Sequence, residues 1–128
     1  MDARSVITTL GMREHPEGGW FVETFRDDAV DGEGRARSSA IYYLLDRGES
    51  SAPHRIDAVE VWHHYAGGPL AMRVGEDDVV LGSDLAAGHR PQVVVPAGVA
   101  QSAAPLDGWV LVGCTVAPAF EFRGFELL

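Results

Sequence analysis

Residues 51–67, SAPHRIDAVEVWHHYAG, place three histidines, a glutamate and a tryptophan between two strand-like segments. The run Glu60-Val61-Trp62-His63-His64-Tyr65 stops at Gly67-Gly68-Pro69, a composition that closes a strand. Side chains alternate along a strand, so Glu60, Trp62 and His64 share one face while Val61, His63 and Tyr65 share the other. A carboxylate, an indole and an imidazole are costly to bury in a dry core. That face is therefore expected to border a wet cavity.

Outward from this stretch, residues 20–26, 38–45, 51–56, 69–74, 78–81, 92–95, 99–104 and 109–116 read as further short strands. Gly75-Glu76-Asp77 marks a hairpin, and an alternating aromatic run, FEFRGFE, closes the chain at 120–126. In the segment 20–26, Trp20, Val22, Thr24 and Arg26 fall on one face and Phe21, Glu23 and Phe25 on the other. Neither face is purely polar, so both are expected to be covered, one of them by a second subunit. Residues 27–37 (DDAVDGEGRAR) read as a solvated, mobile loop, and His15-Pro16-Glu17-Gly18-Gly19 as a turn. Residues 2–10 predict a short helix capped by Asp2, with Ala3, Val6, Ile7 and Leu10 on one face and Gly11 as its stop. About ten short strands at even spacing indicate an all-β sandwich or barrel. No linker divides the chain, so 1–128 is read as a single domain.

Ten basic residues, all arginine, against nineteen acidic ones give a formal charge of −9. Such a surface repels phosphate backbones and anionic lipid, so neither nucleic acid nor membrane is expected as a partner. No window approaches the ~18–20 apolar residues of a membrane span, and residues 1–5 lack the pattern of a signal peptide. The lone Cys114 cannot form an internal disulfide, and a cytoplasmic location is expected. Nucleotide-binding glycine loops, Cys-x-x-Cys pairs and Gly-x-Ser-x-Gly are absent.

His54-x5-Glu60 leading to Gly67 resembles the first cupin motif, and PAGVAQ at 96–101 the second, a Pro-x-Gly-x-x-His pattern. The chain is similar, more closely, to the small single-domain cupin-5 branch. The resemblance rests on HPEGGWFVETFR (15–26), SAIYYLL (39–45), EVWHHYAG (60–67), VVVPAGVAQ (93–101) and VGCTVAPAFEFRGFELL (112–128). It implies a double-stranded β-helix (jelly roll), a homodimer and a ligand cavity inside the barrel.

Metal cupins draw His, His and Glu from the first motif and a further His from the second. Here His54 and Glu60 match, whereas Ile56 and Gln101 stand at the other two positions. An amide binds transition metals poorly. His64 lies roughly 13 Å along the strand from Glu60, too far to share an ion without a bend. No tightly held cofactor is expected; a weak divalent ion on His54, Glu60 and Gln101 stays open.

Without metal the set suits acid–base chemistry. Desolvation raises a buried carboxyl pKa, and a nearby imidazole exchanges protons near neutrality. His54 and Glu60 are the expected catalytic pair, acting on a small polar, sugar-like or carbonyl metabolite as an isomerase, epimerase or lyase. Trp62, His64, Gln101, Tyr43 and Glu23 are expected to bind the ligand. The alternatives are a metal-dependent, oxygenase-like enzyme and a non-catalytic metabolite-binding module. Several residues also have plainer readings. Glu60 could pair with Arg55 or Arg73, Trp62 could be core and Gln101 could satisfy backbone. Arg26 could enter the cavity or a dimer contact. His63 reads as surface, His15 and His89 as loop, and Cys114 as an inert buried thiol.

Overall fold

Alternation of apolar and polar residues over short runs, punctuated by glycine and proline, gives strands that must bury one face against another sheet. The computed structural model describes residues 1–128. Helix α1 (Ala3–Leu10) precedes eleven strands. These are β1 (Arg13–Glu14), β2 (Trp20–Arg26), β3 (Ser39–Leu45), β4 (Ser51–Ile56), β5 (Val59–Gly67) and β6 (Leu70–Val74), then β7 (Asp77–Leu81), β8 (Gln92–Val95), β9 (Gln101–Pro105), β10 (Val110–Ala117) and β11 (Phe125–Leu127). A six-stranded sheet, β1-β2-β3-β10-β5-β8, faces a five-stranded one, β11-β4-β9-β6-β7, and every strand pairing is antiparallel. No helix is long and apolar enough to cross a membrane.

The space between the sheets is filled at one end and open at the other. Tyr43, Leu45, Trp62, Val110 and Val112 pack with Leu70, Met72 and Leu81 into a core cluster. Further along the same strands, Ser39, Ile41, Glu60, Cys114 and Val116 line a cavity instead. Trp62 pairs across β10 with Cys114, and Glu60 with Val116, so one strand step separates plugged core from hollow.

Helix α1 starts as expected: the Asp2 carboxylate accepts from the Ser5 amide at 2.8 Å, and Gly11 ends it in the left-handed conformation. Its buried Val6 and Ile7 pack on Leu44 with Trp20, Val22 and Tyr42, so α1, within the same chain, covers part of the outer face of β2–β3. Strand β2 departs from simple alternation. Glu23 pairs with Ile41 and Phe25 with Ala40, which leaves Thr24 as an extra, bulged residue. The bulge moves Arg26 onto the inner face beside Phe21 and Glu23, opposite Ser39, and turns Phe25 outward.

Three other segments differ from the sequence reading. The stretch 27–37 is pinned: Val30 bridges Ala36, and Arg35 pairs with Asp57 at 2.8 Å and Glu121 at 3.3 Å. The β9 strand begins at Gln101 rather than 99 because Pro96–Gly98 and the residues after it form a turn. The closing aromatic run is not one strand. A single helical turn at Phe122–Gly124 precedes β11, gathering Phe120, Phe122 and Phe125 around His15.

The 15–19 turn is tied to the barrel wall. Its Glu17 carbonyl accepts from the Ala52 amide at 2.8 Å, and a Cβ at Gly18 would sit 2.1 Å from the Ser50 carbonyl oxygen. Gly18 also holds φ +110°, whereas Gly34, at φ +80°, has open space around its Cβ position. Gly18→Ala is therefore expected to lose about 3 kcal/mol in urea unfolding, and Gly34→Ala only about 1 kcal/mol. Equal losses would show that close approach of this turn to the wall is not what holds it.

Candidate functional site

The cavity at the open end of the barrel measures about 450 Å³, within the range of small-molecule sites. Its inner polar groups are His15, Glu17, His54 and Glu60, and its walls are Phe21, Ile41, Ile56, Val116 and Phe120. Arg13, Glu23, Arg26 and Glu121 are the outer charged groups.

His54 reaches the site from β4, where it pairs with Gln101 of β9, and its side chain is fully buried. Its Nδ1 lies 2.7 Å from the Ala52 carbonyl oxygen. A carbonyl only accepts, so Nδ1 carries the proton and Nε2 is left with its lone pair. That nitrogen lies 3.5 Å from Oε2 of Glu17. Burial lowers the imidazole pKa, with the Ala52 bond and the charge of Glu60 pulling the other way. His54 is thus held neutral, with a bare nitrogen beside a carboxyl.

Glu17 was not singled out by the sequence reading, and it is central. Ser51 Oγ donates to its Oε2, and burial raises its pKa to about 7 despite that bond. Its backbone amide donates to His15 Nδ1 at 3.1 Å, so the proton of the neutral ring is on Nε2. Burial, then neighbouring His54, lowers the His15 pKa to about 4. His15 is a neutral hydrogen-bond donor among aromatic rings, with Phe21 edge-on at 4.7 Å. The signal for both residues was His-Pro-Glu-Gly-Gly before a strand: paired glycines permit the close backbone approach that carries a turn into the barrel.

Glu60 projects from β5 with no cation to neutralise it. Arg55 pairs with Glu126 at 2.9 Å and Arg73 with Asp78 at 3.1 Å, both on the surface, so neither forms the buried ion pair considered above. The partner of Glu60 is Gln101, whose Nε2 donates to Oε1 at 2.9 Å. The other end of that amide accepts from Trp62 Nε1 at 2.9 Å. An indole N–H can only donate, so Trp62 fixes which way Gln101 points and aims its NH2 at the acid. Burial, then the charge of Glu17, raises the Glu60 pKa to about 7. Cys114 lines the same wall, and burial pushes its thiol well above the ordinary range, which keeps it protonated.

The residues expected to form the site therefore separate. His54, Glu60 and Glu23 line the cavity. Gln101, Trp62 and Tyr43 stand behind it: Gln101 and Trp62 hold Glu60, and the Tyr43 hydroxyl donates to the Gly18 carbonyl beneath the Glu17 turn. His64 shares the Glu60 face but lies beyond the Trp62 plug, where its Nε2 meets the Gly68 carbonyl at 2.9 Å. The cupin metal set does not fit. Ile56 offers no donor, the Gln101 oxygen is spent on Trp62, and no group of three or more His, Cys, Asp or Glu side chains is arranged to hold an ion.

Comparison with known proteins agrees with this architecture. Protein SO0799 from Shewanella oneidensis is 39% identical, with a TM-score of 0.95 over 100% of this chain and 85% of its own. A hypothetical protein from Leishmania major is 28% identical, with a TM-score of 0.91 over 100% of this chain and 88% of its own. KdgF from a Halomonas species shares the fold at 14% identity, with a TM-score of 0.65 over 88% of this chain and 89% of its own. No curated protein matches the sequence. Residues 4–128 match the family Cupin_5, described as cupin superfamily (DUF985), and the chain belongs to that family.

Proposed function

We propose that the cavity performs metal-independent acid–base chemistry on a small carbonyl metabolite, as an isomerase or epimerase. One observation carries this reading: a neutral imidazole with a bare Nε2 shares an enclosed cavity with two carboxyl groups poised near neutrality and lacking cations. Groups whose pKa values lie near the working pH transfer protons in both directions.

His54 Nε2 takes the proton from the carbon beside the substrate carbonyl. Protonated Glu60, held by Gln101, gives its proton to the carbonyl oxygen, and the product is an enol or enediol. Reprotonation at the neighbouring carbon, or at the other face of the same carbon, completes the isomerisation with no net proton gained or lost. Glu17 positions His54, and the His15 N–H orients the substrate oxygen. This chemistry would take place in the cytoplasm, where a lone buried Cys114 stays reduced.

Proton abstraction is read directly by incubating the protein in D2O with a panel of aldoses, ketoses and 2-oxo acids and following C–H signals by NMR. At least one compound is expected to lose the signal beside its carbonyl. Glu60→Gln and His54→Gln should each slow that loss at least ~100-fold while keeping the wild-type melting temperature within a few degrees. No exchange across the panel, or exchange indifferent to both variants, would sink the acid–base reading.

We also propose that the outer face of the six-stranded sheet joins two copies of the chain. Phe25, Val59, Tyr65 and Val94 are each about half exposed there (52, 44, 54 and 56%), more apolar surface than isolated side chains explain. Light scattering should give twice the 13.8 kDa chain mass. The double variant Phe25→Arg/Val94→Arg should give the single mass with an unchanged strand signal in circular dichroism. A wild-type monomer at micromolar concentration would contradict the dimer.

A further inference from the structure

The acid–base groups occupy one end of the cavity; its other end has a different chemistry. Arg13, on the edge strand β1, is exposed, and its guanidinium carbon stands 5.6 Å from the centre of the Phe21 ring. It forms no ion pair. Arg26, the other arginine of the cavity, is committed: its Nε and Nη2 bind Glu23 at 3.1 and 2.9 Å, and Nη2 also donates to the Phe120 carbonyl. Phe21 stands between Arg13 and the inner groups, since its ring also meets His15 edge-on at 4.7 Å, and the same apolar wall includes Phe120, which Phe122 meets edge-on at 4.9 Å. The cavity is therefore graded, with a free cation outside, aromatic walls in the middle and proton-transfer groups within.

We propose that the ligand is a small, flat monocarboxylate, with its carboxylate held by Arg13, its apolar body against Phe21 and Phe120, and its carbonyl at the end of that body remote from the carboxylate. The orientation of the carbonyl toward Glu60 and His54 rests on the acid–base reading; the anion subsite does not. A guanidinium offers a planar fork that matches one carboxylate, and stacking on Phe21 holds that fork in place. The charge around the opening favours a monoanion over a phosphate dianion. Glu23 and Glu121 stand near the same opening, and the whole chain carries −9. A cavity of about 450 Å³ suits a body of one ring.

The direct test is calorimetric binding of three probes to the full chain. Benzoylformate has no hydrogen beside its carbonyl and cannot enolise. 1-Phenyl-1,2-propanedione replaces its carboxylate with a neutral acetyl group, and phenyl phosphate replaces the acid end with a dianion. Benzoylformate is expected to bind most tightly of the three. Arg13→Met should weaken benzoylformate at least 10-fold while leaving the dione within twofold, and Arg13→Lys should fall between. Arg13 is exposed, so these variants should fold as the wild type does. Benzoylformate that fails to bind at millimolar concentration, binds Arg13→Met equally well, or binds more weakly than phenyl phosphate would overturn the proposal. Since benzoylformate cannot react, the two readings fail separately. Arg13-dependent binding without hydrogen exchange on any panel compound removes the chemistry and keeps the subsite; exchange without Arg13-dependent binding does the reverse.

Discussion

Two carboxyl groups and an imidazole share the inner end of a cavity with no arginine paired to either acid, and much of the structure follows from that constraint. A buried carboxylate is ordinarily stabilised by a cation or by several donors. Glu60 has one amide from Gln101, and Glu17 has the Ser51 hydroxyl with Tyr43 close by. Burial therefore dominates, and both pKa values rise to about 7. At these two sites the folded chain then holds more protons than the unfolded chain between the ordinary glutamate pKa and neutrality, whereas His15 and His54, whose pKa values burial lowers, act in the opposite sense. These two groups consequently withdraw stability as pH rises through that window, by roughly a few kcal/mol in total. A barrel built for stability alone would fill this space with aliphatic side chains, as its other end does. A costly arrangement held by dedicated hydrogen bonds is the mark of a site.

Trp62 is the divider that makes such an arrangement possible. Its ring closes the packed end of the barrel, edge-on to Tyr43 at 5.7 Å, while its N–H fixes the amide that holds Glu60. The same side chain thus shields one side of the site from solvent and orients its acid. On the other side the 15–19 turn brings Glu17 to His54, and the Gly18 conformation lets that turn lie against β4. Around the opening, the Arg35–Asp57 pair and Arg35's bond to the Ala119 carbonyl tie the 27–37 segment to the chain leading into Phe120, one of the cavity walls.

The architecture was legible because it depends on period-two alternation and turn chemistry, both local properties. The central strand with Glu60 on its inner face and the helix with its Asp2 cap follow from such patterns, whereas His54 is placed by its position in the cupin motif. What local pattern could not reveal was long-range. The paired glycines of residues 15–19 permit a close backbone approach, but that their turn folds into the barrel depends on where Ser50, Ser51 and Ala52 lie. The Thr24 bulge reverses the faces of Phe25 and Arg26, and no residue in WFVETFR announces it. Trp62 and His64 do share the Glu60 face. Facing inward is not the same as facing a cavity, however, and the depth at which packing ends is decided by side chains from both sheets. The indole that the sequence suggests as a ligand platform instead supports the acid from behind.

The poise of the two acids is the claim most exposed to test. Carboxyl-carbon NMR of protein labelled at the glutamate side chains, followed from pH 3 to pH 9, reports each titration separately, and Glu17→Gln and Glu60→Gln assign the signals. Two glutamates are expected to titrate near pH 7, and removal of Glu17 should move the Glu60 midpoint downward, since the charge of Glu17 helps raise it. All signals titrating together in the ordinary glutamate range, about 4.3, would contradict a desolvated acid pair at the heart of the barrel.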